Sequence, residues 1–227
     1  MTTNDQPPTT NKIVAIDGPS GVGKSTTSRL VAHALGIPHI DTGAMYRAVA
    51  LAAKRAGVGT RDAAALERLA SSIRIDFIPG EPPRVLLGGE DITALIRTPE
   101  ISMGASDVSA VPAVRRVLVR LQQDLGHRAG GVLEGRDIGT KVFPETPYKF
   151  FLTARPEVRA RRRANELLAK GQAADYERVL ADTIARDAQD STREDSPLRY
   201  DETYSVIDTS DLTIPQVVER IVAAVSP

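Results

Sequence analysis

Residues 13–26 read Ile13-Val14-Ala15-Ile16-Asp17-Gly18-Pro19-Ser20-Gly21-Val22-Gly23-Lys24-Ser25-Thr26, an apolar run that flows into G-x-x-x-x-G-K-S without a break. The run predicts a short strand apolar on both faces, as a central parallel strand is. Beyond it, Leu30, Val31, Ala34 and Leu35 recur at helical spacing and Gly36 closes the helix. A strand, a glycine-rich loop and a helix in that order form a phosphate-binding loop. Gly18, Gly21 and Gly23 let the backbone turn tightly and approach a ligand. The freed amides and the helix N-terminus then face an anion. On this reading Lys24 reaches the β- and γ-phosphates of a nucleoside triphosphate, and the Ser25 hydroxyl holds Mg²⁺.

Working outward, 227 residues suffice for one α/β domain with appendages. Hydrophobic residues at 41% and charged residues at 26% are ordinary for a globular protein. The 29 basic and 29 acidic side chains cancel, so no overall field favours nucleic acid or a membrane. Any anion must be held by local clusters. The absence of cysteine excludes a disulfide scaffold, a zinc–thiolate site and a cysteine nucleophile. No apolar run approaches the roughly 18 residues of a membrane span. Residues 1–11 are polar and rich in Pro and Thr, without the apolar stretch of a secretion signal. They are expected to be a disordered tail, and the cytoplasm is the expected compartment.

Further along, Ile37-Pro38-His39-Ile40 predicts a second strand ending at Asp41-Thr42-Gly43. Helices are expected over 44–56 and 62–72. Alternation in Arg74-Ile75-Asp76-Phe77-Ile78, a turn over 79–83 and the run Arg84-Val85-Leu86-Leu87 predict an antiparallel hairpin, with Gly88-Gly89-Glu90-Asp91 as another turn. A helix over 111–125 leads to a strand at Gly131-Val132-Leu133-Glu134, which ends at Gly135-Arg136-Asp137. Tyr148-Lys149-Phe150-Phe151-Leu152 is a clearer strand. Helices over 157–170 and 175–189, a strand over 205–209 and a helix over 214–225 complete the chain. Strands alternating with helices give an α/β fold with a parallel sheet, whose ligands lie at the carboxyl ends of its strands. The interruptions at 73–105 and 157–196 are what make the function particular.

Phosphoryl transfer needs an acceptor in line with the γ-phosphate and cations to stabilise the moving charge. Arg47 stands one helical turn beyond the second strand, and Arg136 at the end of the third. Arg155, Arg159, Arg161, Arg162, Arg163, Arg186 and Arg193 crowd the late helices, and guanidinium forks suit phosphate oxygens. The same residues also allow a solvated face with Arg162–Glu166 pairs. His33, His39 and His127 are scattered and read as surface or packing residues. No N-K-x-D or D-x-x-G string of a regulatory GTPase occurs, nor an apolar strand ending Asp-Glu as in mechanical ATPases. A small-molecule kinase remains.

The loop at 16–25, Asp41-Thr42-Gly43-Ala44-Met45-Tyr46-Arg47 and Glu134-Gly135-Arg136-Asp137-Ile138-Gly139-Thr140 followed by Val142-Phe143-Pro144 together resemble the bacterial cytidylate kinase family. Gly89-Glu90-Asp91-Ile92-Thr93, Ala105-Ser106-Asp107-Val108-Ser109 and Arg186-Asp187 with Asp190-Ser191 and Arg193 extend the match from about Lys12 to the C-terminus. The resemblance implies a P-loop kinase fold: a parallel β-sheet core (12–72, 106–156, 197–227) flanked by helices, with an antiparallel monophosphate-binding insert (about 73–105) and a helical lid (about 157–196). It implies transfer from ATP to CMP or dCMP with Mg²⁺. Nucleic-acid and membrane partners are not expected from the balanced charge, and a monomer is the default because no long apolar surface stretch requires a partner. Implied ATP contacts are Gly18, Pro19, Ser20, Gly21, Val22, Gly23, Lys24, Ser25, Thr26, Arg159 and Arg163. Arg47, Arg136, Arg186 and Arg193 match residues that hold the acceptor phosphate or the transferring phosphoryl, and Thr42 a hydroxyl near the acceptor phosphate. Ser106, Arg115 and Asp137 match residues that read cytosine, and Asp190 one that contacts the sugar hydroxyls. Lys141 and Thr42 depart from the family's usual residues without disturbing these roles, Lys141 being expected on the surface. Kinases for UMP or a shikimate-like acceptor, and a non-catalytic nucleotide-binding module, are the competing readings.

Overall fold

The computed structural model describes residues 12–78, 80, 83–169 and 171–226. The expected tail at 1–11 lies outside them. Strand β1 (Ile13–Asp17) is flanked on both sides, in parallel, by β6 (Gly131–Gly135) and β7 (Tyr148–Thr153). The short β2 (His39–Asp41) adds to β6, and β8 (Ser205–Asp208) to β7, giving the order β2-β6-β1-β7-β8, parallel throughout. Successive strand side chains point to opposite faces. Val14 and Ile16 therefore pack with α1 (Lys24–Leu35) and α8 (Ile214–Val225), while Ala15 packs with Ile40, Leu133, Ile138 and Phe143 on the other face. A strand apolar on both sides has no other stable place than the middle of such a sheet.

Helix α2 (Thr42–Ala56) begins directly at the end of β2, with Asp41 as its cap: its side chain accepts from the Ala44 amide at 2.9 Å. Helices α3 (Ala63–Ser72) and α5 (Pro112–Ala129) pack beside it around Met45, Leu66 and Leu118, all fully buried. The 73–92 region forms its own antiparallel sheet, β3 (Ile75–Ile78), β4 (Arg84–Leu87) and β5 (Glu90–Asp91). Here the structure corrects the sequence reading. Glu90 and Asp91 are not part of the turn but pair with Leu87 and Leu86, so the reversal is confined to Gly88-Gly89. A helix not anticipated, α4 (Pro99–Ser109), follows a 3₁₀ turn at Leu95–Arg97 and buries Ile101, Ala105 and Val108 in the core shared with α2. It starts from a Thr98 cap with Pro99 at its first position and spans residues 105 and 106, between which the insert was expected to end.

After β6 the chain makes a π-helical turn, Ile138–Val142. Helices α6 (Pro156–Ala169) and α7 (Tyr176–Ser191) pack on each other in the 157–196 region. Lys141 is exposed. No helix among the described residues is long and apolar enough to cross a membrane.

Candidate active site

The carboxyl ends of β1, β2 and β6 converge on the glycine loop. Gly18 has φ 146°, and a Cβ there would lie 2.1 Å from the Leu152 carbonyl oxygen, so only glycine lets the loop leave β1 this close to β7. Gly23, left-handed at φ 93°, turns the chain into α1, whose first residue is Lys24. The Lys24 ammonium is buried and donates to the Pro19 carbonyl at 2.6 Å. Burial, then the charges of Arg136 and Arg186, pushes its pKa well below the ordinary lysine range. A cation in that position is relieved by an anion brought into the loop.

Ser25 and Thr26 stand exposed at the loop's mouth. The Ser25 hydroxyl donates to Oε2 of Glu134 at 2.8 Å, and His39 Nε2 lies 3.0 Å from Oε1 of the same carboxylate. Facing a carboxylate oxygen, Nε2 is the donor. His39 was read from sequence as a surface or packing residue; the structure places it at the site, because β2 and β6 pair in register with Asp41 opposite Glu134. Thr42 Oγ1 donates to the Glu134 carbonyl at 2.7 Å, which fixes the start of α2 against β6.

Across the cleft sit the arginines. Arg47 Nη2 donates to Asp41 Oδ2 at 2.7 Å. Arg136 Nε donates to Asp190 Oδ2 at 2.8 Å, and Arg193 Nη2 to Asp190 Oδ1. Burial opposes the ionised form of Asp190, but the charges of Arg136 and Arg193 outweigh it and hold the carboxyl below its usual range. Arg186 has no carboxylate within ion-pair distance among the described residues; burial, then the charges of Arg136, Arg47 and Arg193, lowers its pKa. Among the described residues, the Nε–H groups of Arg47, Arg115, Arg186 and Arg193 are buried without a partner. Buried donors left unpaired cost about 1–3 kcal/mol each. The guanidinium groups of Arg47, Arg136, Arg186 and Arg193 lie close enough for their charges to act on one another, a cluster that suits anionic oxygens.

Deeper in, Arg115 Nη2 makes a short ion pair with Asp137 Oδ2, both side chains being buried. Arg115 Nη1 also donates to the Ser109 carbonyl at 3.2 Å, and its guanidinium lies 5.5 Å from the ring centroid of Tyr46. Ser109 Oγ accepts from Arg193 at 3.3 Å, and Ser106 Oγ donates to Gln189 on α7 at 3.1 Å. Residues 106–115, 136–137 and 186–193 thus form one wall.

Two arginines expected at ATP stand differently. Arg159 is buried, with Nε on the Ala154 carbonyl, Nη1 on the Ser20 carbonyl at 3.2 Å and both ends of its fork on Asp187. It braces the glycine loop against α6 and α7. Arg163 makes an exposed pair with Glu166 at 3.3 Å. The surface pair imagined for Arg162 does not form: Arg162 instead grips the Thr209 carbonyl at 2.6 Å, and Thr209 Oγ1 donates to Val22. Residues that sequence reasoning missed are Glu134, His39, Ser109, Tyr46 and Asp41. Only Glu134 carried a signal, a carboxylate closing a strand that neighbours the loop's own.

Fold and site together define a P-loop phosphotransferase whose acceptor side is built for a phosphorylated ligand. The profile of the family described as Cytidylate kinase matches residues 14–227. The chain belongs to that family. It is 51% identical over 215 residues to a cytidylate kinase of Syntrophotalea carbinolica, covering 94% of this chain and 92% of that one. With a cytidylate kinase of Mycolicibacterium paratuberculosis it shares 50% over 212 residues, 92% of each chain. Among solved structures it resembles an uncharacterized protein from Eubacterium ventriosum (TM-score 0.55, 12% identity, 95% of this chain and 98% of that one). A shikimate kinase from Bacteroides thetaiotaomicron gives a TM-score of 0.50 at 14% identity, over 95% of this chain and 99% of that one. At such identities these likenesses speak for the fold alone.

Proposed function

We propose that the chain carries out its family's reaction, ATP with CMP or dCMP giving ADP with CDP or dCDP, by direct in-line transfer. The observation that carries this reading is the cluster of Arg47, Arg136, Arg186 and Arg193: the charges of the other three crowd the Arg186 guanidinium, and those of Arg136 and Arg186 act on Lys24 of the glycine loop. The backbone N–H groups of residues 20–26 and the Lys24 ammonium hold the donor phosphates. Arg47, Arg136, Arg186 and Arg193 bind the acceptor phosphate and the charge that spreads over the moving phosphoryl, with Thr42 beside them. No general base is required, since this chemistry rests on positioning and electrostatics.

Ser25 Oγ and the Glu134 carboxylate, 2.8 Å apart, are the hard oxygen donors that suit Mg²⁺. When bound there, the ion supplies charge neutralisation of the β- and γ-phosphate oxygens. Cytosine offers an amino donor beside ring nitrogen and carbonyl acceptors, and Ser106, Arg115 and Asp137 supply the matching groups. Uracil leaves the acceptor opposite its carbonyl unpaired, so UMP is the poorer substrate by about 1–3 kcal/mol. Asp190 meets the sugar hydroxyls. The 73–105 region serves as the monophosphate-binding insert and 157–196 as the lid, whose closure keeps water from the γ-phosphate. Arg159 acts from beneath the glycine loop and Arg163 from the lid's outer face. The enzyme works as a cytoplasmic monomer.

The test is ADP release, in a coupled assay, with CMP, dCMP, UMP, AMP and shikimate as acceptors. CMP and dCMP are expected to give the highest kcat/KM. Preference for another acceptor, or nucleotide binding without turnover, would overturn the proposal.

A further inference from the structure

Asp17 closes β1 and is fully buried, yet the reaction above has no use for it. Its carboxylate accepts three hydrogen bonds from distant parts of the chain. The Ile138 and Gly139 amides each donate at 2.9 Å, to Oδ1 and Oδ2, and the Tyr204 hydroxyl donates at 2.8 Å. Ile138 and Gly139 are the first two residues of the π-helical turn Ile138–Val142. Their N–H groups have no partner within the turn, as at any helix start.

The residue at the cap of that turn is Asp137, and an aspartate there ordinarily turns its own carboxylate onto the second or third amide of the turn, here that of Gly139 or Thr140. Asp137 makes no such bond. Its carboxylate faces the other way, into the ion pair with Arg115. The two facts are one arrangement. The Gly139 amide, one of the two that would recruit Asp137, is already held by a carboxylate more than a hundred residues earlier in the chain. The fit is close: a Cβ on Gly139 would stand 2.6 Å from the Tyr204 hydroxyl oxygen.

We propose that Asp17 is a specificity-determining positioning residue: by capping the turn in place of Asp137, with Tyr204 holding it in register, it frees the Asp137 carboxylate to read the acceptor base. This rests on the assignment of Asp137 to cytosine made above. Remove the borrowed cap and Asp137 is drawn back to its own turn, away from Arg115. Tyr204 lies just beyond the lid region, so base reading is also tied to the segment on which the lid is anchored.

The test uses the full chain with Asp17→Asn and Tyr204→Phe, and the ratio of kcat/KM for CMP to that for UMP. The wild type is expected to prefer CMP by about 5–150-fold, the ratio equivalent to the 1–3 kcal/mol of an unpaired acceptor. In Asp17→Asn the ratio should fall at least roughly fivefold, mostly through a raised KM for CMP, while KM for ATP stays within about twofold. Tyr204→Phe, which removes one of three donors, should lower the ratio less and decides the matter should Asp17→Asn fail to fold. An unchanged ratio in the folded variants, or equal losses for ATP and CMP, overturns the inference. A wild type with no preference for CMP instead overturns the acceptor assignment on which it stands.

Discussion

Ser25 and Glu134, 109 residues apart in the chain, meet through a 2.8 Å hydrogen bond at the mouth of the glycine loop. The bond arises because β6 lies directly beside β1, with Glu134 opposite Ile16. It joins the hydroxyl that opens α1 to a carboxylate that the sheet buries. His39 takes the other carboxylate oxygen, so neither oxygen is left to find its own orientation. Partners of this kind fix the aim of a metal-binding carboxylate.

Replacing Glu134 by Gln should therefore act on the metal rather than on the nucleotide. Affinity of the enzyme–ATP complex for Mn²⁺, followed by electron paramagnetic resonance, is expected to drop about 10–100-fold. ATP binding measured in a chelator should stay near that of the wild type. His39→Leu should show the same pattern more weakly, and His39→Gln, which restores an N–H donor, should recover most of the loss. Equal loss of ATP affinity with and without metal would point to a damaged loop instead.

How much of this was legible beforehand follows from how local each signal is. The glycine loop and β1 declare themselves because Val14, Ala15 and Ile16 must be covered on both faces, and because Gly18 and Gly23 hold backbone shapes other residues avoid. Helix α4 stayed hidden since Ser102, Gly104, Ser106, Asp107 and Ser109 dilute its apolar spacing; its burial against α2 overrides weak propensity. The antiparallel pairing of Glu90 and Asp91 was masked by charge that suits a turn as well as an exposed edge. Parallel pairing brings His39 to Glu134 over 95 residues, and no spacing rule reports such a meeting. Arginine types marked the acceptor wall, but only the folded chain separates Arg159, bound on three sides, from Arg186, which among the described residues forms no ion pair.

Arg186 invites a prediction in which function and stability move apart. Its guanidinium is packed near Arg47, Arg136 and Arg193, and its Nε has no partner. Crowded like charges destabilise a structure that has no ligand to neutralise them. Arg186→Ala should lower kcat about 10²–10³-fold, the loss typical of one transition-state donor. The same variant without nucleotides should melt at the wild-type temperature or a few degrees above it, by scanning calorimetry. A variant that melts well below the wild type would show that Arg186 holds the lid together rather than waiting for phosphate.

The last prediction concerns acid. Burial raises the Asp17 carboxyl from 3.8 to about 6, against the pull of its amide and hydroxyl donors, and the nearby charge of Asp137 adds to the rise. With its folded pKa above its unfolded one, Asp17 keeps a proton in the folded chain that the unfolded chain has released. Its contribution to stability therefore grows as pH falls from about 6 towards 3.8, and is flat and least favourable above that window. The full gain is about 3 kcal/mol, of which about 1.4 kcal/mol should be present near pH 5. Urea unfolding of the wild type and Asp17→Asn at about pH 7, 6 and 5 isolates the term, since the other titrating groups are common to both. The wild type should gain on the variant as pH falls; a constant difference, or one that shrinks, would contradict the assignment. Selectivity should run the other way. A protonated Asp17 offers an O–H where Ile138, Gly139 and Tyr204 all donate, so the preference for CMP over UMP should weaken below about pH 6 in the wild type, as the fold itself becomes firmer.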